Sequence, residues 1–285
     1  MKNSSPPPCI FERRKGNGLM FKLRSKNSAG ERRILLCIAV IFPILVLILW
    51  QFASSNGLVK ASLVPAPLTI VKTFVSYVES GKLWKNLSVS FGRVACGYLI
   101  GALCGVVVGF LMGLFKPINA ALSGIVSVLR PIPTIALIPI VILLAGIGFS
   151  SKVVIIAFGS FWPVLLNTIH GIQTVDGKLL EVAYTYRIPT GKTIFKIIVP
   201  SSIPAILTGL RLGMSSAWMS VVAAEMIASS TGIGYLITLS RETANARVMY
   251  MCVLVIGVIG LVIDKGLTWL EHYYLAKTRG SVDGK

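Results

Sequence analysis

The chain has 285 residues, of which 54% are hydrophobic and 13% are charged, and its formal net charge is +18. This balance excludes an ordinary soluble globular domain and predicts an all-α polytopic membrane protein embedded in lipid. The surplus of Lys and Arg lies between apolar runs and in the N-terminal tail, where the positive-inside rule accounts for it, so no nucleic-acid partner is expected.

The spacing of the ionisable and metal-binding side chains does not indicate a catalytic site. The five cysteines show no C-x-x-C spacing, and the two histidines have no partners at ligand spacing, so we expect no metal site and no cofactor. The few ionisable residues offer no Ser/His/Asp or paired-carboxylate arrangement, so an enzyme is not expected.

The first part of the chain predicts a tail, one helix and a loop. Residues 1–33 carry nine Lys or Arg and are rich in Ser, Pro, Gly and Asn, which is typical of a basic, disordered cytoplasmic tail. Residues 34–59 hold no charged side chain, and this run is too long for a signal peptide. We therefore predict an uncleaved first transmembrane helix over 34–54 and an extracytoplasmic loop over 55–87.

Five further apolar segments follow within a predicted core of residues 88–275. With the first helix they make about six transmembrane helices, each near the 20 residues that a crossing needs. A cytoplasmic N-terminus then places the loop 171–200 and the tail 276–285 in the cytoplasm and the loop 229–247 outside. The five segments are 94–115, 117–151, 153–169, 203–228 and 248–263.

Glycines recur every fourth residue in the second of these helices. This spacing predicts a ridge on which another helix backbone packs closely. The glycines are Gly97, Gly101, Gly105, Gly109 and Gly113.

A few charged residues fall at membrane depth, where they often mark a pathway. Arg130 precedes Pro131 and Pro133, and these prolines predict that the third span is broken or redirected there. Arg211 and Glu225 lie about 21 Å apart along the fifth helix, too far to pair with each other. We place all five residues on a candidate translocation path, with interhelical hydrogen bonding as the alternative for Arg211 and Glu225 and cytoplasmic snorkelling for Arg130.

The segment EVAYTYRIPTGKTIFKIIVP, residues 181–200, contains a GKT triplet but no phosphate-binding loop. That motif needs a glycine five residues before the GKT glycine, and Tyr186 stands there. No strand pattern leads into the segment either, so ATP is not expected to bind this chain.

The same segment resembles the EAA loop of ABC importer permeases. Glu181 and Ala183 match the start of the motif and Pro200 matches its end, whereas Arg187 stands where the family has glycine. Residues 177–187 are expected to form a protruding helix, with the bend supplied by Pro189 and Gly191.

The resemblance extends over about residues 60–275 and is nearest to the branch of permeases for aliphatic sulfonates, taurine and nitrate. It implies the type-1 ABC importer permease fold in a bacterial inner membrane, with both termini cytoplasmic. It further implies a homodimer in membrane lipid, two cytoplasmic ATPase subunits and an extracytoplasmic solute-binding protein. Glu181, Ala183, Arg187, Gly191 and Pro200 would then form the ATPase-coupling loop of a non-catalytic subunit.

The solute remains open at this point. The cations Arg130 and Arg211, with few carboxylates near them in sequence, favour a small anion such as a sulfonate, taurine or nitrate. A heterocyclic nutrient precursor is the alternative solute, and a stand-alone secondary transporter is the alternative machinery.

Overall fold

The computed structural model describes residues 29–280. Residues 1–28 of the predicted tail lie outside this part, as do residues 281–285, whereas residues 29–33, also predicted as tail, are helical. The chain divides into two compact units, Met1–Leu49 and Trp50–Lys285. In its described part the first unit is the helix α1 up to Leu49, and the second unit holds all the other helices.

The described residues form helices and no strands, as the composition predicts. The helices are α1 (Ala29–Ser55), α2 (Pro67–Glu79), α3 (Lys82–Leu114), α4 (Lys116–Leu129), α5 (Thr134–Ala145), α6 (Phe149–Gln173), α7 (Gly177–Thr185), α8 (Thr190–Thr193), α9 (Val199–Ala228), α10 (Ile233–Glu242) and α11 (Ala246–Gly280). A π-helical turn, Ile194–Ile198, joins α8 to α9, so that Thr190–Ala228 runs on as one helix.

Four helices of the described part are long and apolar enough to cross a membrane: α3, α6, Thr190–Ala228 and Ala246–Ala276. The pair α4 and α5 is bent by 97° and can serve as a fifth span. The prediction of about six spans therefore also needs α1, of which Ile41–Ser55 is a short apolar helix.

The break between α4 and α5 lies where the prolines predict it. Pro131 and Pro133 cannot donate a backbone hydrogen bond, and proline also disfavours helical geometry in the residue before it. Pro133 has extended backbone angles, φ −60° and ψ 129°, and α5 starts at the next residue. The third predicted span is thus two helices pointing in different directions.

Successive spans run in opposite directions, which defines two sides of the second unit. The α6–α9 connection with α7, and the far end of α11, lie on one side, here called the α7 side. The connection between α5 and α6 and the helix α10 lie on the other, here called the α10 side.

The core is a close-packed layer of α3, α6 and α9. The glycine ridge of α3 faces α6, and it confirms the prediction of close packing. A Cβ added at Gly97 would lie 2.6 Å from Cβ of Ile156, and one added at Gly109 would lie 2.6 Å from Cβ of Thr168. Side chains at these positions would push α3 away from α6, so the ridge sets the distance between the two helices.

The contact between α6 and α9 also depends on a glycine, together with a hydrogen bond. A Cβ at Gly213 of α9 would lie 2.8 Å from Val164 of α6. Ser216 donates its hydroxyl to the Gly159 carbonyl across the interface at 2.8 Å. Since lipid offers no hydrophobic drive between helices, such close approach and interhelical hydrogen bonding hold the layer together.

Several boundaries differ from the sequence prediction. The predicted loop 55–87 contains α2 and the first turn of α3, and the predicted loop 229–247 contains α10. Both helices are short and amphipathic, and each buries apolar residues such as Ile70 and Ile233 in a shared core cluster. A search for long apolar runs misses helices of this kind. Of the predicted tail 276–285, residues up to 280 continue α11.

Candidate functional site

A short helix with both ends fixed by local hydrogen bonds connects α6 to α9. The carboxylate of Asp176 accepts a hydrogen bond from the backbone N–H of Lys178 at 2.9 Å and so caps the start of α7. The helix ends at Thr185, which confirms the predicted protruding helix to within two residues.

The turn after α7 places Arg187 in the left-handed region, with φ 51°. The backbone N–H of Ile188 donates to the Ala183 carbonyl at 2.9 Å, and the N–H of Arg187 donates to the Tyr184 carbonyl at 3.0 Å. This is the Schellman pattern, in which the residue after the C-cap is usually glycine. The turn that a glycine would normally make is therefore kept with arginine in its place.

Gly191 does not take over the bend, so that expectation is wrong. It lies inside α8, and its φ is not among the positive values of the described glycines. Pro200 lies just after the π-helical turn Ile194–Ile198, inside the continuous helix Thr190–Ala228, where it cannot donate a backbone hydrogen bond. The backbone direction changes at Arg187 and Pro189, and Gly191 only begins the next helix.

The outer face of α7 and the following turn is apolar and exposed. Tyr184 is 87% exposed, Tyr186 is 78% exposed and Val182 is 52% exposed. Glu181 also lies on the surface, next to this patch. We call the patch formed by Glu181, Val182, Tyr184 and Tyr186 the α7 face. Clustered exposed aromatic side chains on a protruding helix are typical of a protein interface.

Ala183 lies on the opposite face of α7. Its side chain is 2% exposed, so it does not present a surface to a partner. Its small size instead lets α7 and its turn pack together, and a bulky replacement would disturb the loop from within.

A second group of functional candidates surrounds Glu225, which is fully buried near the end of α9. Its carboxylate lies 2.7 Å from Nη1 of Arg93 on α3, forming an ion pair. The hydroxyl of Ser90 lies 2.9 Å from both carboxylate oxygens, and the backbone N–H of Gly234 donates to Oε2 at 3.0 Å. The alternative reading of Glu225, an interhelical hydrogen-bonding group, matches this geometry.

The loop between α9 and α10 is tied into the same network. Arg93 donates to the carbonyl of Thr231 at 2.8 Å and to its hydroxyl at 2.9 Å. Asn86 accepts the backbone N–H of Gly232 at 2.8 Å. Gly232 has φ 111°, and a Cβ there would collide with the Glu225 carboxylate. The glycine thus permits the loop backbone to lie directly against the ion pair.

Two buried cations of this region, Arg93 and Lys152, were not predicted from the sequence. Arg93 is 7% exposed and Lys152 is 3% exposed, and Lys152 interacts electrostatically with both Arg93 and Glu225. Both residues stand just outside the apolar runs used to define the spans. Each of the two residues directly precedes an apolar run, so the sequence could have indicated that both lie at membrane depth. It could not have indicated that they lie near Glu225.

Arg211 pairs with the last helix instead of facing an open path. Its Nε lies 3.0 Å from an oxygen of Glu271, and its Nη1 lies 3.7 Å from an oxygen of Asp264. Nη1 also donates to the hydroxyl of Thr268 at 3.1 Å. The premise that Arg211 has few neighbouring carboxylates is therefore wrong, and the contacts join α9 to α11 near the α7 side.

The first residues after the proline break, Thr134 and Ile135, line a cleft between α5, α6 and α9. Arg130, Pro131 and Pro133 are exposed at the break before α5. Arg130 forms no ion pair with any residue in 29–280. The cleft has a volume of about 210 Å³, and its lining residues are Thr134, Ile135, Ile138, Ile155, Ser216, Met219, Ser220 and Ala223. Of the five candidate path residues, Arg130, Pro131 and Pro133 precede the lining residue Thr134 in sequence but do not line the cleft, whereas Arg211 and Glu225 lie in separate ion pairs.

The described residues contain no group of three or more His, Cys, Asp or Glu arranged to hold a metal ion.

Residues 99–274 match the family model of the binding-protein-dependent transport system inner membrane component. The chain is 35% identical over 259 residues to a putative aliphatic sulfonates transport permease protein, SsuC, of Bacillus subtilis, covering 91% of this chain and 94% of that protein. It is 34% identical over 238 residues to the bicarbonate transport system permease protein CmpB of a Synechocystis strain, covering 79% and 84% of the two chains.

Solved structures support the fold. A chain from the crystal structure of an amino acid ABC transporter with histidines aligns with a TM-score of 0.60 at 19% identity, covering 70% of this chain and 98% of that one. A chain of the MetNI methionine ABC transporter in an inward-facing conformation aligns with a TM-score of 0.57 at 16% identity, covering 69% and 96%. The arrangement of the helices is therefore that of type-1 importer permeases.

Proposed function

Because the chain belongs to the family of binding-protein-dependent inner-membrane transport components, we propose that it forms the translocation path of an ATP-driven importer for a small anion. The chain itself is a non-catalytic, multi-pass ABC permease subunit. In the proposed assembly two copies pair in the bacterial inner membrane, two ATPase subunits bind from the cytoplasm and a solute-binding protein delivers the anion from outside. The α7 side would be cytoplasmic.

The exposed α7 face is the observation that carries the ATPase partnership. Two tyrosines, 87% and 78% exposed, lie on α7 and at its C-cap, and this helix is capped at its start and closed by a Schellman turn at its end. A rigid helix presenting aromatic side chains suits insertion into a cleft of another protein, because little side-chain entropy is lost on binding. Glu181 would offer a carboxylate at the edge of this contact.

Arg187, Gly191 and Pro200 have supporting roles in this proposal. Arg187 closes α7, Gly191 is the second residue of α8, and Pro200 lies where the continuous helix would return into the membrane. Ala183 keeps the loop compact from its buried side. The loop would therefore move as one body with α9, to which α8 is joined by a continuous helix.

The anion assignment rests on the relatives and on the cleft at the α4–α5 break. The permeases that match carry names for sulfonate and bicarbonate transport, and both solutes are small oxyanions. Arg130 is an exposed cation four residues before Thr134, the first lining residue of the cleft. A sulfonate, bicarbonate or a related anion such as nitrate is the expected solute class.

The α7 face can be tested with Tyr184→Ala combined with Tyr186→Ala. Tyr273→Ala is the matched control, because Tyr273 is also exposed, at 59%, but lies on α11 outside the loop. Interface tyrosines often contribute about 2 kcal/mol each, so each change should weaken ATPase binding about thirtyfold and the double variant by up to about a thousandfold. The measurement is the amount of ATPase that co-purifies with the tagged chain from native membranes, together with solute-stimulated ATP hydrolysis.

Normal ATPase recovery and hydrolysis in the double variant would refute the coupling role of the α7 face. Solute accumulation by the purified chain alone in vesicles, without ATP, would instead support a secondary transporter. Uptake of a neutral heterocyclic compound by the complete complex, with no uptake of anions, would overturn the anion assignment and leave the ATPase partnership standing.

A further inference from the structure

The cleft between α5, α6 and α9 lies within the length of the apolar helices, nearer to their α10 side. Two serines of α9 line the cleft. Ser216 lies five residues from Arg211, which is on its α7 side, and Ser220 lies five residues from Glu225, which is on its α10 side. Five residues correspond to about 7 to 8 Å of helix. On α5 the buried Ile138 packs with Ile155 and Ala224, so the helix runs from the cleft toward the α10 side. The N-terminus of α5 is therefore inside the membrane, not at its surface.

This N-terminus has no cap. Pro133 precedes α5 and has no side-chain hydrogen bond to offer, and the N–H of Ala136 is already bonded to the Pro133 carbonyl at 2.9 Å. The backbone N–H groups of Thr134 and Ile135 have no acceptor within the described part of the chain. Both residues line the cleft. Free N–H groups and the helix dipole together favour an anion at such a position.

Ser220 supplies an independent observation. Its side chain lines the cleft and is only 6% exposed. Its hydroxyl makes no hydrogen bond to any residue of 29–280, whereas the neighbouring Ser216 donates its hydroxyl to the Gly159 carbonyl. The hydroxyl lies beside Gly159 of α6 at the wall of the cleft, and with no protein partner it is available to a ligand that occupies the cleft.

The charges around the cleft also favour an anion. The carboxylate of Glu225 is paired with Arg93, with Lys152 close to both. Arg130 lies four residues before Thr134 and forms no ion pair with any described residue. The cleft itself is lined by hydroxyl and apolar side chains and by no carboxylate.

We propose that the cleft is the solute subsite of the translocation path, in which the free N–H groups at the start of α5 and the hydroxyls of Thr134 and Ser220 bind the oxyanion group of the solute. This inference rests on the proposed function, since it assigns that function's solute to named groups. The broken span supplies a helix N-terminus within the length of the neighbouring spans, and a volume of about 210 Å³ suits a small solute group better than a large one.

The test compares Ser220→Asp with Ser220→Asn in the complete complex with its ATPase and binding protein. The two side chains have nearly the same size and differ in charge. Ser201→Asp on the same helix is the control, because Ser201 is exposed and lies outside the cleft. ATP-dependent uptake of radiolabelled bicarbonate, nitrate and ethanesulfonate is measured in proteoliposomes, with binding-protein-stimulated ATP hydrolysis as the measure of assembly.

The expected result is that Ser220→Asp lowers anion uptake about tenfold or more below Ser220→Asn, because a fixed negative charge at this distance repels the solute. Ser201→Asp should behave as wild type. Equal uptake by the Asp and Asn variants of a stable complex would overturn the subsite. If neither Ser220 variant assembles, the pair Thr134→Asp and Thr134→Asn, at a less buried position, decides the question by the same comparison.

Failure of the subsite and failure of the proposed function give different results. A wild-type complex that takes up none of the three anions contradicts the anion-import function and the subsite together. A wild-type complex that takes up an anion, with no dependence on charge at residues 220 and 134, contradicts the subsite alone.

Discussion

The buried ion pair between Arg93 and Glu225 makes a sharp prediction about stability. Glu225 is fully buried, and its carboxylate accepts hydrogen bonds from Arg93, Ser90 and the N–H of Gly234. Replacing Glu225 by Ala leaves the guanidinium of Arg93 buried without its counter-ion and leaves the other donors unsatisfied. Breaking a buried pair from one side typically costs about 3 to 5 kcal/mol.

For a chain of this size a loss of about 1 kcal/mol lowers Tm by about 2 to 4 °C, so Glu225→Ala should lower Tm by roughly 6 to 20 °C. The measurement is thermal unfolding of the purified chain in detergent, followed by the loss of its monodisperse elution peak. Asp264→Ala is the control, because the side chain of Asp264 is 47% exposed and lies 3.7 Å from Arg211. An exposed pair of this kind contributes about 0 to 1 kcal/mol.

The double variant Glu225→Leu with Arg93→Met separates the pair from simple packing. Since two apolar side chains of similar volume remove both buried charges, the double variant should recover most of the stability lost in Glu225→Ala. The reasoning is refuted if Glu225→Ala and Asp264→Ala lower Tm equally, or if the double variant is less stable than Glu225→Ala by more than a few degrees.

Two further predictions concern the loop and the topology. Arg187→Gly should raise Tm by a few degrees, because a residue with a Cβ in the left-handed region costs about 1 kcal/mol or more that glycine avoids; a lower Tm would show that the arginine side chain stabilises the turn. Single cysteines at Asn56 and Thr190, in a background without native cysteines, should react differently with an impermeant reagent added to intact cells. Labelling at residue 56 and not at 190 is expected for an extracytoplasmic α10 side, and the reverse pattern would invert the topology.

The spans were predictable because few backbone conformations are stable in lipid. A backbone in hydrocarbon must satisfy its own hydrogen bonds, so a long apolar run without charge becomes a helix whatever its neighbours are. The same argument located the break at Pro131 and Pro133, because proline removes a backbone donor wherever it stands. The glycine ridge could also be predicted, since its spacing of four residues places all five glycines on one helix face.

The amphipathic helices and the cap after α7 were not predictable in this way. The helices α2 and α10 are too short to form a span, and they are held by packing against the ends of α3 and α11. Arg187 has no local preference for the left-handed region, and it takes that conformation because the hydrogen bonds of the turn require it.

Apolar length and proline were enough to predict a membrane-spanning chain with one broken span, and the resemblance of one loop indicated a permease. Which charges pair depends instead on the tertiary packing. Glu225 meets Arg93, 132 residues away, and Arg211 meets Glu271 of the last helix. Pairing at membrane depth depends on which helix faces pack together, and that is set by the close contact of α3, α6 and α9, which no single segment of the chain contains.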